Sequence, residues 1–496
     1  MGGILMSNRI TLDGLKSYLW NSAVLLRSSI DAGAYKQYIF PLLFFKRICD
    51  VYDEESAKVL AENDGNMEAL EWPESHSFVI PKGAHWHDVR AVSENVGVAI
   101  VNAFQAIERA NIEKLGGVFG NAAWTNKNRL PDALLKNLIE HFSSKTLSLA
   151  NCPEDELGQG YEYLIKKFAD DAGHTAQEFY TNRTVVHLMT EMLKPQSGES
   201  IYDPTCGSAG MLISAIAYLK KTGQEWRNVK IYGQEINQLT SAISKMNLFL
   251  HGIEDFQIIN DDILQAPGFI EQGQLKTFDL VLANPPYSIK NWDREAFSYD
   301  KWGRNFLGTP PQGRADYAFF QHILKSMDPK TGRCAILFPH GVLSRDDEYE
   351  MRKKLVELDL LECVIGIGKN LFFNSPMEAC IVICRSKKPA EHRGKVLFIN
   401  AKEEVTRKNA ESYLEEEHIQ KIASAYAEYR NIDNFARVAT TEEIKNNEYK
   451  LGIPLYMSKG TTNTEEDFLP DKIKQWVNSV EIKGKQIDGL LRLLED

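Results

Sequence analysis

Apolar residues recur at helical spacing from Leu15 to Glu54, with Leu25, Tyr38, Leu42, Phe45 and Ile48 among them, and residues 10 to about 150 read as helical. From about Tyr161 the pattern changes to short apolar runs separated by amphipathic stretches. The runs fall at 200–204, 229–235, 256–260, 278–286, 333–339, 362–368 and 379–385. Between them lie AGMLISAIAYLKK, NQLTSAISKMNLFLH, DYAFFQHILKSM and EYEMRKKLVEL, each with helical periodicity. Strands alternating with helices predict an α/β domain with a doubly wound sheet of seven strands, covered on both faces. After about Glu403 the chain turns charged and helical, and Ile473, Val480, Ile487 and Leu494 form a heptad seam with Val477 and Leu491. Gly484 and Gly489 weaken that seam as an isolated helix, so it docks either on its own core or on a partner helix. The expected organisation is a helical domain over 1–160, the sheet domain over 161–405 and a helical region over 406–496.

Composition narrows the setting. Hydrophobic residues make up 43% and charged residues 25%, and no apolar run approaches the ~20 residues that span a bilayer. The N-terminus lacks the apolar core of a signal peptide. The seven cysteines are scattered without metal-ligand spacing, and Cys380 and Cys384 read as small apolar residues in a buried run. A reduced cytoplasmic protein without a metal or membrane partner is expected. The net charge of −11 disfavours a chain that coats nucleic acid alone, so basic surface must be local or supplied by a partner.

Candidate chemistry gathers where strands end. The first run closes in Asp203-Pro204-Thr205-Cys206-Gly207-Ser208-Ala209-Gly210 and passes directly into a helix. Small residues there let the backbone turn tightly and approach a ligand at the carboxyl edge of the sheet. The second run ends in Glu235, suited to accept from ribose hydroxyls, and the third in Asp261-Asp262, either of which suits an adenine amino group. No lysine follows the glycines as a phosphate loop would require. The fourth run ends in Asn284-Pro285-Pro286-Tyr287. An amino group on an aromatic ring is a poor nucleophile, because its lone pair is delocalised. Acceptors on its two N–H bonds localise that pair as the transition state forms. The Asn284 side chain and the Pro285 carbonyl supply acceptors, the prolines stiffen the turn, and Tyr287 offers a face for an extruded base. The long loop that follows carries Lys290, Arg294, Lys301, Arg304 and Arg314 among Trp292, Phe297, Tyr299, Trp302 and Phe306. Cations for phosphate and aromatics for stacking fit a flipped nucleotide, although the same aromatics could fold into a small core of their own.

With these motifs, the chain resembles the modification (M) subunits of type I restriction–modification systems, which are N6-adenine DNA methyltransferases. The resemblance rests on SSIDAGAYKQYIFPLLFFKRICDVYDEE, AQEFYTNRTVVHLM, the Asp203–Gly210 turn, NDDIL (260–264), NPPY, PHGVLSRD (339–346) and NEYKLGIPLYM (447–457). It implies a Rossmann-like methyltransferase sheet that binds S-adenosylmethionine through Glu178, Phe179, Tyr180, Thr181, Asn182 and Arg183. Asp203, Thr205, Gly207, Ser208, Ala209 and Gly210 would contribute as well, with Glu235 at the ribose and Asp262 rather than Asp261 at the adenine. Asn284, Pro285, Pro286 and Tyr287 take the catalytic places. Lys290, Arg294, Lys301 and Arg304 remain expected contacts to DNA. Two departures stand out: Asn182 replaces a proline common in the family, and Ala209 occupies the middle of the glycine turn. The resemblance also implies double-stranded DNA with a flipped adenine, a specificity (S) subunit, a second M subunit and a restriction (R) subunit as partners. A free-standing adenine methyltransferase, a protein glutamine methyltransferase and a silent scaffold stay open as alternatives.

Overall fold

The structure is a computed structural model of the chain, and it describes residues 9–171, 181–371, 378–408 and 411–457. The N-terminal third forms α1 (Leu12–Leu26), α2 (Lys36–Glu62), α3 (Val96–Ala110), α4 (Asp132–Ser143) and α5 (Glu154–Asp171). Their apolar faces meet in one core that includes Leu19, Phe40, Phe44, Phe45, Ile100 and Phe142. Complete burial of each such side chain stabilises the fold by about 1.5–3 kcal/mol. Three charged residues of α2 are buried within it, and each has a partner. Lys46 pairs with Asp50, which also accepts from the Leu147 N–H at 2.6 Å, and Arg47 donates to the carbonyls of Leu147 and Cys152.

The remainder builds a nine-stranded sheet from β1 (Ser200–Asp203), β2 (Lys230–Gln234), β3 (Phe256–Ile259), β4 (Leu280–Ala283), β5 (Arg333–Pro339), β6 (Leu361–Ile367), β7 (Ala379–Arg385), β8 (Lys395–Ala401) and β9 (Ala436–Thr440). Their order is β9-β8-β6-β7-β5-β4-β1-β2-β3. The pairs from β3 to β5 are parallel, whereas β7 and β9 run antiparallel to their neighbours. All seven apolar runs are strands, and the four periodic stretches between them are α7 (Gly210–Lys221), α8 (Gln238–Leu250), α9 (Asp316–Lys325) and α10 (Tyr349–Glu357), preceded by α6 (Arg183–Leu193). Two further strands extend the sheet. β9 lies in a stretch that the sequence assigns to helix, and it pairs residue by residue with β8. Beyond it only α11 (Glu416–Glu428) and shorter turns are helical among the described residues after 405. The heptad seam at 473–494 lies outside the described residues.

Every residue of β4, β5 and β6 is buried, because helices cover both faces. One apolar layer joins α6, α7 and α11 to the sheet, and the other joins α9 and α10 to its opposite face. Helix α8 links the two halves of the chain: Leu248 packs in the sheet layer, while Ala242, Ile243, Met246 and Leu250 complete the helical core. Strand order reverses between β1 and β4, which opens a crevice at their carboxyl ends, where ligands bind in open α/β sheets.

Candidate active site at the carboxyl edge of the sheet

The glycine turn fills that crevice. Gly207 and Ala209 both adopt left-handed backbone, at φ 52° and 66°, which lets the chain leave β1 and start α7 within a few residues. At Gly210 a Cβ would lie 1.7 Å from the Arg183 guanidinium, so a larger residue there would displace that side chain from its path across the start of α7. Arg183 donates to Glu162 of α5 at 2.6 Å and to the Ser208 hydroxyl at 3.3 Å. Asn247 of α8 donates to Glu162 and to the Ser208 carbonyl, both at 2.7 Å. The helical domain therefore fixes the turn from outside the sheet, through a glutamate that sequence reasoning missed. Nothing local marks Glu162; the contact spans 21 residues to Arg183 and 85 to Asn247.

Thr181, Arg183, Asp203, Thr205, Gly207, Ser208, Gly210 and Asn284 line one pocket, so the ends of β1 and β4 and the segment before α6 converge there. Asp203 is buried at its base and accepts from the Thr205 N–H at 3.0 Å. Burial, reinforced by the charge of Glu235, pushes its carboxyl up to about 8. Glu235 lies beside the pocket, where its carboxylate accepts from the Gly207 N–H at 3.1 Å and the Asn237 N–H at 2.8 Å. Ile236, the next residue, is 65% exposed, an apolar surface that the sequence reading passed over. Asn260 fastens this rim by donating to the carbonyls of Glu235 and Ile236. Asp262 sits half-buried on the following loop, accepting from the Leu264 N–H at 2.9 Å, while Asp261 is exposed. Neither aspartate lines the pocket.

Asn182 has a structural task that a proline could not perform: its side chain caps α6 by accepting from the Thr184 N–H, and its amide donates to the Ser412 carbonyl at 2.9 Å. Glu178, Phe179 and Tyr180 lie outside the described residues.

At the end of β4, the Asn284 amide donates to the Thr181 hydroxyl at 3.0 Å, and its carbonyl oxygen accepts from the Tyr287 hydroxyl. The Tyr287 hydroxyl also lies 3.2 Å from the Leu337 carbonyl, and burial holds the phenol well above its ordinary range, so it stays a neutral donor. Pro285 is buried and Pro286 exposed, and the Pro285 carbonyl accepts no backbone hydrogen bond among the described residues.

The N-6 DNA Methylase family matches residues 153–467, and the HsdM N-terminal domain family matches residues 15–142. The methylase subunit of the type I restriction enzyme MjaVIII of Methanocaldococcus jannaschii is 32% identical, over 98% of this chain and 86% of its own. That of HindI from Haemophilus influenzae is also 32% identical, over 79% of this chain and 92% of its own. The chain belongs to the N-6 DNA methylase family, among the methylase subunits of type I restriction enzymes. The crystal structure of a type I restriction–modification methyltransferase subunit from Streptococcus thermophilus superposes with a TM-score of 0.78 at 29% identity, covering 90% of this chain and 99% of that one.

In this methylase the loop after NPPY corrects one expectation. Arg304 is 1% exposed and cannot reach a phosphate. It pairs with Asp300 at 2.6 Å, donates to the carbonyls of Ile263 and Leu264 at 2.8 Å each, and lies over the Phe297 and Trp302 rings. Its guanidinium thus ties the loop after NPPY to the loop that carries Asp262. Phe297 and Trp292 join Ile263, Ala318 and Phe319 in a small core, so part of the aromatic content is structural. Lys290, Arg294 and Lys301 are exposed, although Arg294 donates to the Pro310 carbonyl and Lys301 lies over Trp302. Tyr299 is 83% exposed. All seven cysteines are free and buried, as Cys380 and Cys384 were expected to be, and no helix among the described residues is long and apolar enough to cross a membrane.

Proposed function

We propose that the chain transfers a methyl group from S-adenosylmethionine to N6 of an adenine flipped out of double-stranded DNA. In this reading it is the modification subunit beside a specificity subunit that selects the sequence, in an assembly with a second modification subunit and a restriction subunit. The observation that carries the reading is the convergence of Asn284, Thr181 and the Asp203–Gly210 turn on one pocket at the strand-order switch point.

The residues present fit the cofactor. Asp203 is a buried carboxylate without a cation among its described hydrogen-bond partners, which suits a ligand that brings an ammonium group. Glu235, whose carboxylate is held at the end of β2 by the Gly207 and Asn237 N–H groups, would accept from the ribose hydroxyls. Ile236 and Asp262 would flank the adenine, one by apolar contact and one by accepting from its amino group. When bound, the cofactor supplies an electrophilic methyl on a sulfonium.

The remaining work belongs to Asn284 and its neighbours. Thr181 and Tyr287 hold the amide so that its oxygen, with one lone pair engaged by the phenol, offers the other to an adenine N–H. The Pro285 carbonyl takes the second N–H. Both acceptors gain strength as positive charge grows on the nitrogen, which is stabilisation confined to the transition state. Lys290, Arg294, Lys301 and Tyr299 would meet the flipped nucleotide and its flanking phosphates. The test is transfer of labelled methyl to DNA by the chain alone and with its specificity subunit. N6-methyladenine formed only with the partner supports the reading. Sequence-specific transfer by the chain alone would make it a free-standing enzyme, and no transfer under either condition would overturn it.

A further inference from the structure

PHGVLSRD and the DYAFF helix take no part in the scheme above, yet together they hold the residue that follows NPPY. Ser288 sits at φ 52°, in the left-handed region that a residue with a side chain adopts at a cost. Its N–H donates to Asp316 Oδ1 at 2.7 Å. Asp316 is the first residue of α9 and is completely buried, and its other oxygen accepts from Arg345 at 2.6 Å. Arg345 crosses Gly341, where a Cβ would stand 2.5 Å from its Nε. The same guanidinium reaches Glu348 at 3.3 Å, and Arg352 donates to the Arg345 carbonyl. A buried carboxylate with a single cation, aimed at a backbone N–H in a strained conformation, is a built device. It lies one residue from Tyr287, whose hydroxyl orients Asn284.

We propose that Asp316, held by Arg345, is a positioning residue that keeps Ser288 left-handed and thereby sets Tyr287 and Asn284 in register for the target amine. Without the acceptor, Ser288 relaxes toward right-handed or extended backbone and turns Tyr287 away from Asn284. Neither Ser288 nor Asp316 lines the pocket formed by the Asp203–Gly210 turn, so that turn is left in place. Glu348 remains to pair Arg345, so loss of Asp316 leaves no orphaned cation.

The inference rests on the methyl-transfer reading, and its test separates the two. Asp316→Ala should lower kcat by on the order of 10- to 100-fold, the scale of a small misplacement at a reacting centre, with the cofactor Kd unchanged. Ser288→Gly, which adopts left-handed backbone freely, should restore most of kcat to the Asp316→Ala chain. If Asp316→Ala does not fold, Asp316→Asn with and without Ser288→Gly carries the same comparison. Absence of rescue in the folded pair, or a loss confined to cofactor affinity, overturns the proposal while wild-type transfer still supports the enzyme. If wild type transfers nothing, the crystal structure of the Asp316 variant decides: Ser288 still left-handed refutes the device.

Discussion

Replacing Arg304 by glutamine tests whether that residue is a structural clamp or a contact to DNA. The pair with Asp300 is almost wholly buried, with side chains 1% and 2% exposed. Glutamine keeps some hydrogen bonding but removes the charge, leaving Asp300 as a buried carboxylate without its cation. Breaking a buried pair from one side costs about 3–5 kcal/mol. The Ile263 and Leu264 carbonyls also lose their donors, at roughly 1–3 kcal/mol for each group left without a partner, although the terms do not simply add. If the loop opens with the rest of its domain, the melting temperature falls by several degrees. Because those carbonyls follow Asp262, cofactor affinity should fall as well. The assay is a thermal melt beside calorimetric titration of cofactor and a salt series of DNA affinity. A contact to phosphate would instead leave the melt and the cofactor untouched and flatten the salt dependence of DNA binding by roughly one counterion. That second pattern would refute the clamp.

Further consequences follow from the cofactor side. Gly210→Ala places a methyl group in the path of Arg183, breaking its hold on Glu162 and Ser208. The helix gains about 1 kcal/mol in propensity, so stability changes little while cofactor Kd, measured by calorimetry, rises about tenfold. Asp203 bears on pH. Its carboxyl is raised to about 8 in the folded chain, so the stability it contributes is present below its unfolded value and is lost as pH climbs through about 8. A cationic ligand favours the ionised form, so cofactor affinity should rise with pH up to about 8, by at most tenfold per unit, and proton release should accompany binding. Titrations across that range, with Asp203→Asn giving a flat profile, check this, and an affinity that falls with rising pH would contradict it.

What the sequence disclosed is what short spans of chain encode. The carboxyl ends of β1 and β4 were visible because a buried parallel strand reads as a continuous apolar run, and the residue that ends it is polar or small. Asp203, Gly207, Gly210 and Asn284 meet because the strand-order switch brings those two ends together. β9 was not visible, since ARVAT is short, lies among charged residues and becomes a strand only by pairing with β8. Arg304 misled for a related reason. Its two carbonyl partners lie 40 and 41 residues upstream, and a cation among aromatics looks the same whether the rings await a base or fill a core. Glu162 and Asp316 act through contacts of 21 and 28 residues, and neither lies in a motif whose spacing announces the partner.

The central claim is that Asn284 provides the acceptor for the adenine amine while Thr181 and Tyr287 hold it in place. The most direct measurement is N6-methyladenine in DNA treated with wild type and with Asn284→Ala, each assembled with the specificity subunit and each titrated with S-adenosylmethionine. The variant should bind cofactor within a few-fold of wild type while methyladenine falls at least about 100-fold, the scale of losing one transition-state hydrogen-bonding group. Methyladenine formed by the variant at near the wild-type rate would contradict it.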